Sequence, residues 1–167
     1  MKEITYTDYV VPFLNQLPRG AFLTVKSGDR INTMTIGWGT IGYIWNRPVL
    51  SVLVRYSRYT YELIKNAADF TVSVPLNEDL QRALALAGTR SGRETDKFRE
   101  CQLSAAPSPK VNSPYVGECG LIYECKIVFR QKMEAEYLNK DLREKFYKDD
   151  DWHEIFYGEI VGCYLAE

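Results

Sequence analysis

Apolar residues recur at every second position through most of this chain, and at helical spacing in only a few places. Gly20 to Lys26 (GAFLTVK) reads as a strand, and Ser27-Gly28-Asp29 as a turn. Ile31 to Thr40 (INTMTIGWGT) resumes extended structure. There Met34, Ile36 and Trp38 alternate with Thr33, Thr35, Gly37 and Gly39, a period of two. Asn46-Arg47-Pro48 marks a turn, and Val49 to Arg55 (VLSVLVR) has the nearly continuous apolar run of a fully buried strand. Phe70 to Val74, Gly120 to Glu134 and the segment starting at His153 complete the strands, the last carrying Gly158 and Gly162.

Helical spacing predicts two inserted helices. In SRYTYELIKNAADF the apolar positions are Leu63, Ile64, Ala67 and Ala68; Ser57 or Thr60 is expected to cap the start, with Glu62 near the positive end. In NEDLQRALALAG, Asn77 is the expected cap, Glu78 and Asp79 fill the first turn, and Leu80, Ala83, Leu84 and Ala87 form the stripe. Gly88 is the expected stop. TRSGRETDKF reads as a polar loop ending in a short turn or helix, and APSPKVNSP as a surface loop. NKDLREKFYKDDD reads as a short surface helix with a solvated charge run. About six strands joined mostly by turns, with two or three helices inserted, favour an antiparallel barrel or sandwich over a parallel sheet.

At 167 residues, 46% of them apolar, the chain suits one domain spanning 1–167. A net charge of −1 with acids and bases intermixed argues against nucleic acid as a partner. The start, MKEITYTDYVV, holds no long apolar run, so no membrane association is expected and the cytoplasm is the expected location. The four cysteines form no C-x-x-C and His153 is the only histidine, so spacing gives no support to a metal site and reduced thiols are expected. Twelve tyrosines suit strands, flat-ligand pockets and subunit interfaces.

Gly37 to Gly42 reads GWGTIG, the literal G-x-G-x-x-G of a dinucleotide turn. That fingerprint needs a helix next, and YIWNRP leaves no room for one. The glycines then mark either barrel curvature or close approach to the backbone. Gly37 and Gly39 are expected on one strand face, leaving a shelf of peptide groups on which a planar ring could lie. Downstream, RYSRYT (Arg55 to Thr60) gathers guanidinium and hydroxyl groups at a predicted helix start, and RSGRETDK (Arg90 to Lys97) is a second basic, glycine-bearing loop. A shelf beside two phosphate-type loops suggests a phosphorylated flat cofactor such as FMN.

The run NTMTIGWGTIGYIWNRPVLSVLVRYSRYTYELIKNAADFTVSVP, continuing through SGRETDKF to HEIFYGEIVG, resembles the flavin reductase-like family, which includes the flavoredoxins. The resemblance implies a mainly β fold, an antiparallel FMN-binding split barrel with a few inserted helices. It also implies a homodimer, and electron transfer with NAD(P)H or a redox protein as partner. Carried over by residue, Asn32, Thr35, Trp38 and the backbone of Gly37, Gly39 and Thr40 border the flavin ring. Arg55, Ser57, Arg58 and Thr60 hold the ribityl-phosphate end, joined by Ser91 and Lys97. His153 matches the histidine before the family's last strand. It is expected to reach the flavin of its own or the other subunit and to tune it, as a cation or a donor, rather than to serve as an obligatory acid.

Overall fold

The computed structural model describes residues 1–76 and 79–166. Its strands are β1 (Lys2–Glu3), β2 (Ala21–Ser27), β3 (Arg30–Ile36), β4 (Gly39–Ile44), β5 (Arg47–Arg55), β6 (Asp69–Val74), β7 (Ala105–Ala106), β8 (Tyr115–Val116), β9 (Leu121–Lys132) and β10 (His153–Leu165). Its α-helices are α1 (Val10–Gln16), α2 (Tyr59–Ile64), α3 (Gln81–Thr89), α4 (Lys97–Glu100) and α5 (Lys140–Phe146).

One antiparallel sheet runs in the order β3-β2-β6-β9-β10-β5-β4, with β1 added to the end of β10. The outermost strands, β3 and β4, are consecutive in the chain and joined only through Gly37 and Trp38. In a flat sheet six strand spacings would part them by about 29 Å, whereas the link from Ile36 to Gly39 reaches at most about 11 Å. The sheet must therefore roll up until its edges meet at Gly37–Trp38. From that corner β3 and β4 diverge, so the barrel is closed at one end of the seam and split along it.

The rolled sheet encloses Leu23, Val25, Leu50, Val52, Val54, Phe70, Val72, Val74, Tyr123 and Phe156, and α1 plugs one end with Phe13 edge-on to Tyr123 at 5.5 Å. A smaller apolar cluster of Phe22, Ala83, Leu84, Ala87 and Leu103 lies outside the barrel, where α3 packs on β2 and β3. Gly158 and Gly162 sit at the two register shifts between β10 and β9, and a Cβ on Gly158 would lie 2.6 Å from both Phe70 and Cys125.

Several sequence expectations need correction. The extended run Ile31–Thr40 is two strands, broken at the seam. The turn before β5 is made by Trp45 and Asn46, both at positive φ (54° and 57°), and Arg47 and Pro48 already belong to β5. Neither Ser57 nor Thr60 caps α2, whose N-cap is Arg58 and which has no capping side chain. Asn77 and Glu78 lie outside the described residues. Helix α3 starts at Gln81, and Gly88 sits inside it, because a bare position lets the helix approach Thr35. The APSPKVNSP loop is not merely superficial: backbone N–H groups of Asn112 and Ser113 donate to the Asp69 carboxylate, and Ser113 is fully buried.

Gly39 and Gly42 on β4 give a paired test of the seam. A Cβ on Gly39 would lie 2.7 Å from the Ser51 carbonyl of β5, while one on Gly42 meets nothing within 4 Å. Gly39→Ala is expected to lose about 1–3 kcal/mol, as overpacked sites do, and Gly42→Ala to unfold at the parent's urea midpoint.

Candidate functional site

The barrel's seam opens into a cleft of about 260 Å³. Strand β3 and the Gly37–Trp38 corner form one wall, Arg55 and His153 the other, and Arg58 and Gly88 one end. Arg55 and His153 face each other because β5 and β10 pair in that register. Thr35 contributes little beyond its backbone, since its hydroxyl donates to the Leu84 carbonyl of α3 at 2.6 Å. Gly37 is exposed, and a Cβ there would meet only the Leu17 carbonyl, at 3.7 Å. Trp38 is 40% exposed, a large apolar ring left at the mouth.

His153 is buried beneath that ring. Its centroid lies 5.3 Å from Trp38, and Nδ1 is 2.7 Å from the Tyr147 hydroxyl. Burial, reinforced by the Arg55 charge and opposed by Asp151, pushes its pKa from an ordinary 6.5 down to about 4. His153 is therefore a neutral ring at pH 7, and the expectation of a cation there is corrected. Its partner is Tyr147.

The opposite end is cationic. Arg58 is half-buried and, among the described residues, its side chain has no hydrogen bond or ion pair within 4 Å; Asp151 acts on it only at longer range. Beyond it Lys97 is buried, with Nζ donating to the Ala87 carbonyl at 2.8 Å. Burial and the Arg58 charge push the Lys97 pKa down to about 8. Asn32 and Thr60 stand beside this pair, the Asn32 amide donating to the Thr60 hydroxyl at 2.7 Å. Asn32 and Lys97 also line a second groove of about 530 Å³. Cleft and groove together fall within the roughly 300–1,000 Å³ of small-molecule sites. Helix α2 is only six residues long, so the positive charge at this end comes from side chains rather than from a helix dipole.

The structure thus brings Thr35, Gly37, Trp38, Arg55, Arg58 and His153 around one cleft, with Asn32, Thr60 and Lys97 beside its cationic end. It does not bring the others there. Gly39 faces the β5 backbone, so its missing side chain admits Ser51 and leaves no shelf for a ring. The Thr40 hydroxyl pairs with Ser51 Oγ at 2.6 Å. Ser57 is spent on Asp151, its Oγ donating to Oδ2 at 2.6 Å. Ser91 Oγ accepts from the Arg93 N–H within a turn. Arg55 lines the cleft, but its guanidinium donates to the carbonyls of Asp151 and Phe146 and lies 5.1 Å from the Tyr147 ring centre.

Arg55 and Ser57 therefore clamp the segment between β9 and β10 down onto the site. That segment supplies residues that the periodicity missed. Phe146 meets Trp38 edge-on at 5.1 Å, and Tyr147 is buried against His153 with Trp152 stacked on it at 4.4 Å. The available signal was the aromatic triplet Phe146, Tyr147 and Trp152 inside a charge run. Gly92 was also missed as a packing position: a Cβ there would lie 2.2 Å from Asn32 Oδ1.

The model for the flavin reductase-like domain matches residues 15–167, and the chain belongs to that family. An uncharacterized protein of Archaeoglobus fulgidus is 35% identical over 120 residues, which is 71% of this chain and 67% of that protein. Among solved structures, the flavoredoxin of Desulfovibrio vulgaris (Miyazaki F) superposes with a TM-score of 0.69 at 28% identity, covering 89% of this chain and 69% of its own. An FMN-binding domain of a flavin reductase-like enzyme from Shewanella baltica gives a TM-score of 0.69 at 16% identity, covering 98% and 76%. The fold is the antiparallel split barrel of these FMN-binding proteins.

The buried histidine sets a pH signature. Its folded pKa of about 4 lies below the unfolded 6.5, so the unfolded chain binds more protons between those values. His153 should therefore cost no stability above pH 6.5, and about 3 kcal/mol is expected to be lost as pH falls to 4. Urea unfolding at pH 7, 5.5 and 4 should show this slope in the parent and a shallower one in His153→Asn.

Proposed function

We propose that this protein binds FMN across the seam and passes electrons through it, taking them from NAD(P)H. The observation that carries the reading is the half-buried Arg58 beside the buried Lys97 at one end of a cleft walled by Trp38 and bare backbone. Two adjoining cations with no described carboxylate in contact favour a bound anion. The flat walls suit a planar ring, so the residues present fit a phosphorylated flavin. When bound, FMN supplies hydride and single-electron chemistry.

The chain's own residues bind and orient. Arg58 and Lys97 hold the phosphate, Asn32 and Thr60 the polar tail, and Trp38 and Gly37 the ring. His153, neutral and pointed at the same cleft, offers hydrogen bonding without a charge. No helix among the described residues is long and apolar enough to cross a membrane. A second copy of the chain is the expected cover for the exposed edge strand β4, for Tyr43 and for the aromatic group of Trp45, Phe129 and Tyr157, whose ring centres lie 5.5–6.2 Å apart.

The 28% identity to a flavoredoxin supports a second reading, a carrier that exchanges electrons with protein partners and leaves NAD(P)H untouched. Anaerobic addition of NADH or NADPH to FMN-loaded protein separates the two, because only the first reading predicts bleaching of the flavin band.

Two measurements test the site itself. FMN should bind more tightly than riboflavin, and Arg58→Ala should weaken FMN about ten- to a hundredfold, the cost of one hydrogen bond to a charged group, while leaving riboflavin unchanged. Equal losses for both ligands would move the phosphate away from Arg58. Sedimentation at micromolar concentration should give a dimer, and Trp45→Ser should shift it toward monomer.

A further inference from the structure

We propose that Tyr147 is a positioning residue whose hydroxyl locks His153 as the Nε2–H tautomer, so that one fixed N–H donor faces the cleft. The Tyr147 hydroxyl has a single proton and two acceptors within reach: His153 Nδ1 at 2.7 Å and Met133 Sδ at 3.4 Å. A thioether is a weak acceptor and an imidazole nitrogen a good one, and the nitrogen is also much nearer. The hydroxyl therefore donates to Nδ1, and a neutral ring must then carry its proton on Nε2.

The surroundings keep the ring neutral and the hydroxyl protonated. Arg55 faces His153 across the β5–β10 pair and disfavours a second positive charge, Arg58 lines the same cleft, and Asp151 is the carboxylate that opposes them. Burial raises the Tyr147 pKa, so the phenol stays a donor. The Nδ1 edge is turned to Tyr147, which does not line the cleft, while His153 does. Among the described residues Nε2 has no hydrogen-bond partner.

The Tyr147 ring is itself held on three sides, by Trp152 stacked at an interplanar angle of 3°, by Arg55 over its face and by His153 edge-on. The hydroxyl is thus aimed by the packing around its own ring, and Trp152 and Tyr147 themselves lie outside the cleft lining. A donor fixed in this way selects ligands that present a carbonyl oxygen or an unprotonated ring nitrogen to it, and does so unchanged from mildly acidic to alkaline pH. The inference depends on the flavin reading only for what that donor meets.

His153 is the only histidine of the chain, so its ring nitrogens can be assigned without ambiguity. The test is long-range proton–nitrogen correlation on ligand-free protein labelled with 15N-histidine. At pH 7 the parent is expected to show a protonated Nε2 and an unprotonated Nδ1 in a single tautomer. Tyr147→Phe keeps the stacked ring and removes only the hydroxyl; it should give a tautomer mixture and move the His153 titration up. Met133→Leu should leave the parent spectrum unchanged. A proton on Nδ1 in the parent, or a Tyr147→Phe spectrum identical to the parent's, overturns the proposal. No flavin is needed, so either result leaves the FMN reading to its own binding test.

Discussion

The link of two residues between β3 and β4 is the constraint on which this molecule depends. It joins the first and last strands of the sheet order and so dictates that the sheet closes on itself. Closure brings the end of β3 next to the ends of β5 and β10, which a flat sheet would hold well apart. The cleft is the gap left where those ends converge without pairing. The glycine-rich stretch at the corner thus has a mechanical origin: Gly39 lets β4 lie against the Ser51 carbonyl, and Gly37 leaves bare backbone at the mouth.

Around that corner the two ends of the cleft differ in electrical character. At one, burial and the Arg58 charge disfavour the charge of Lys97, while burial and Arg55 disfavour that of Arg58. At the other, burial and Arg55 keep His153 uncharged. Arg55 acts on both ends: its charge disfavours those of His153 and Arg58, while its hydrogen bonds hold the 146–151 segment over the histidine. Such polarity along one cleft orients a ligand with an anionic tail and a neutral heterocyclic head, because reversing it would leave the tail unpaired.

Much of this was legible in the sequence. Alternation marked the β3 run, where the pleat imposes a period of two, and a nearly continuous apolar run marked β5; β4 was not read as a strand of its own. The family resemblance brought together the residues now found around Arg58 and His153. What could not be read was pairing. Nothing local in INTMTIGWGT says that Gly37 and Trp38 cross a seam, because only the whole strand order requires it. Ser57, Thr40 and Ser91 have the hydroxyls of ligand groups but are occupied by Asp151, Ser51 and Arg93, the first two partners set by strand pairing and tertiary structure and the third by a local turn. Tyr147 was hidden for the converse reason: a charge run reads as solvated, and one buried aromatic within it breaks no pattern.

Strand β10 has one more consequence. Among the described residues, strand hydrogen bonding joins the β3-β2-β6-β9 half of the sheet to the β5–β4 hairpin only through β10. Its partners on β5 include Arg55 for His153 and Val49 for Glu159, so on the order of a hundred residues of chain must be closed into a loop before that pairing can form. Until β10 pairs, the β5 edge opposite β4 has no strand partner. High contact order of this kind slows folding and exposes strand edges to other chains. Closing the barrel thus requires β10, a strand that begins at the histidine of the cleft.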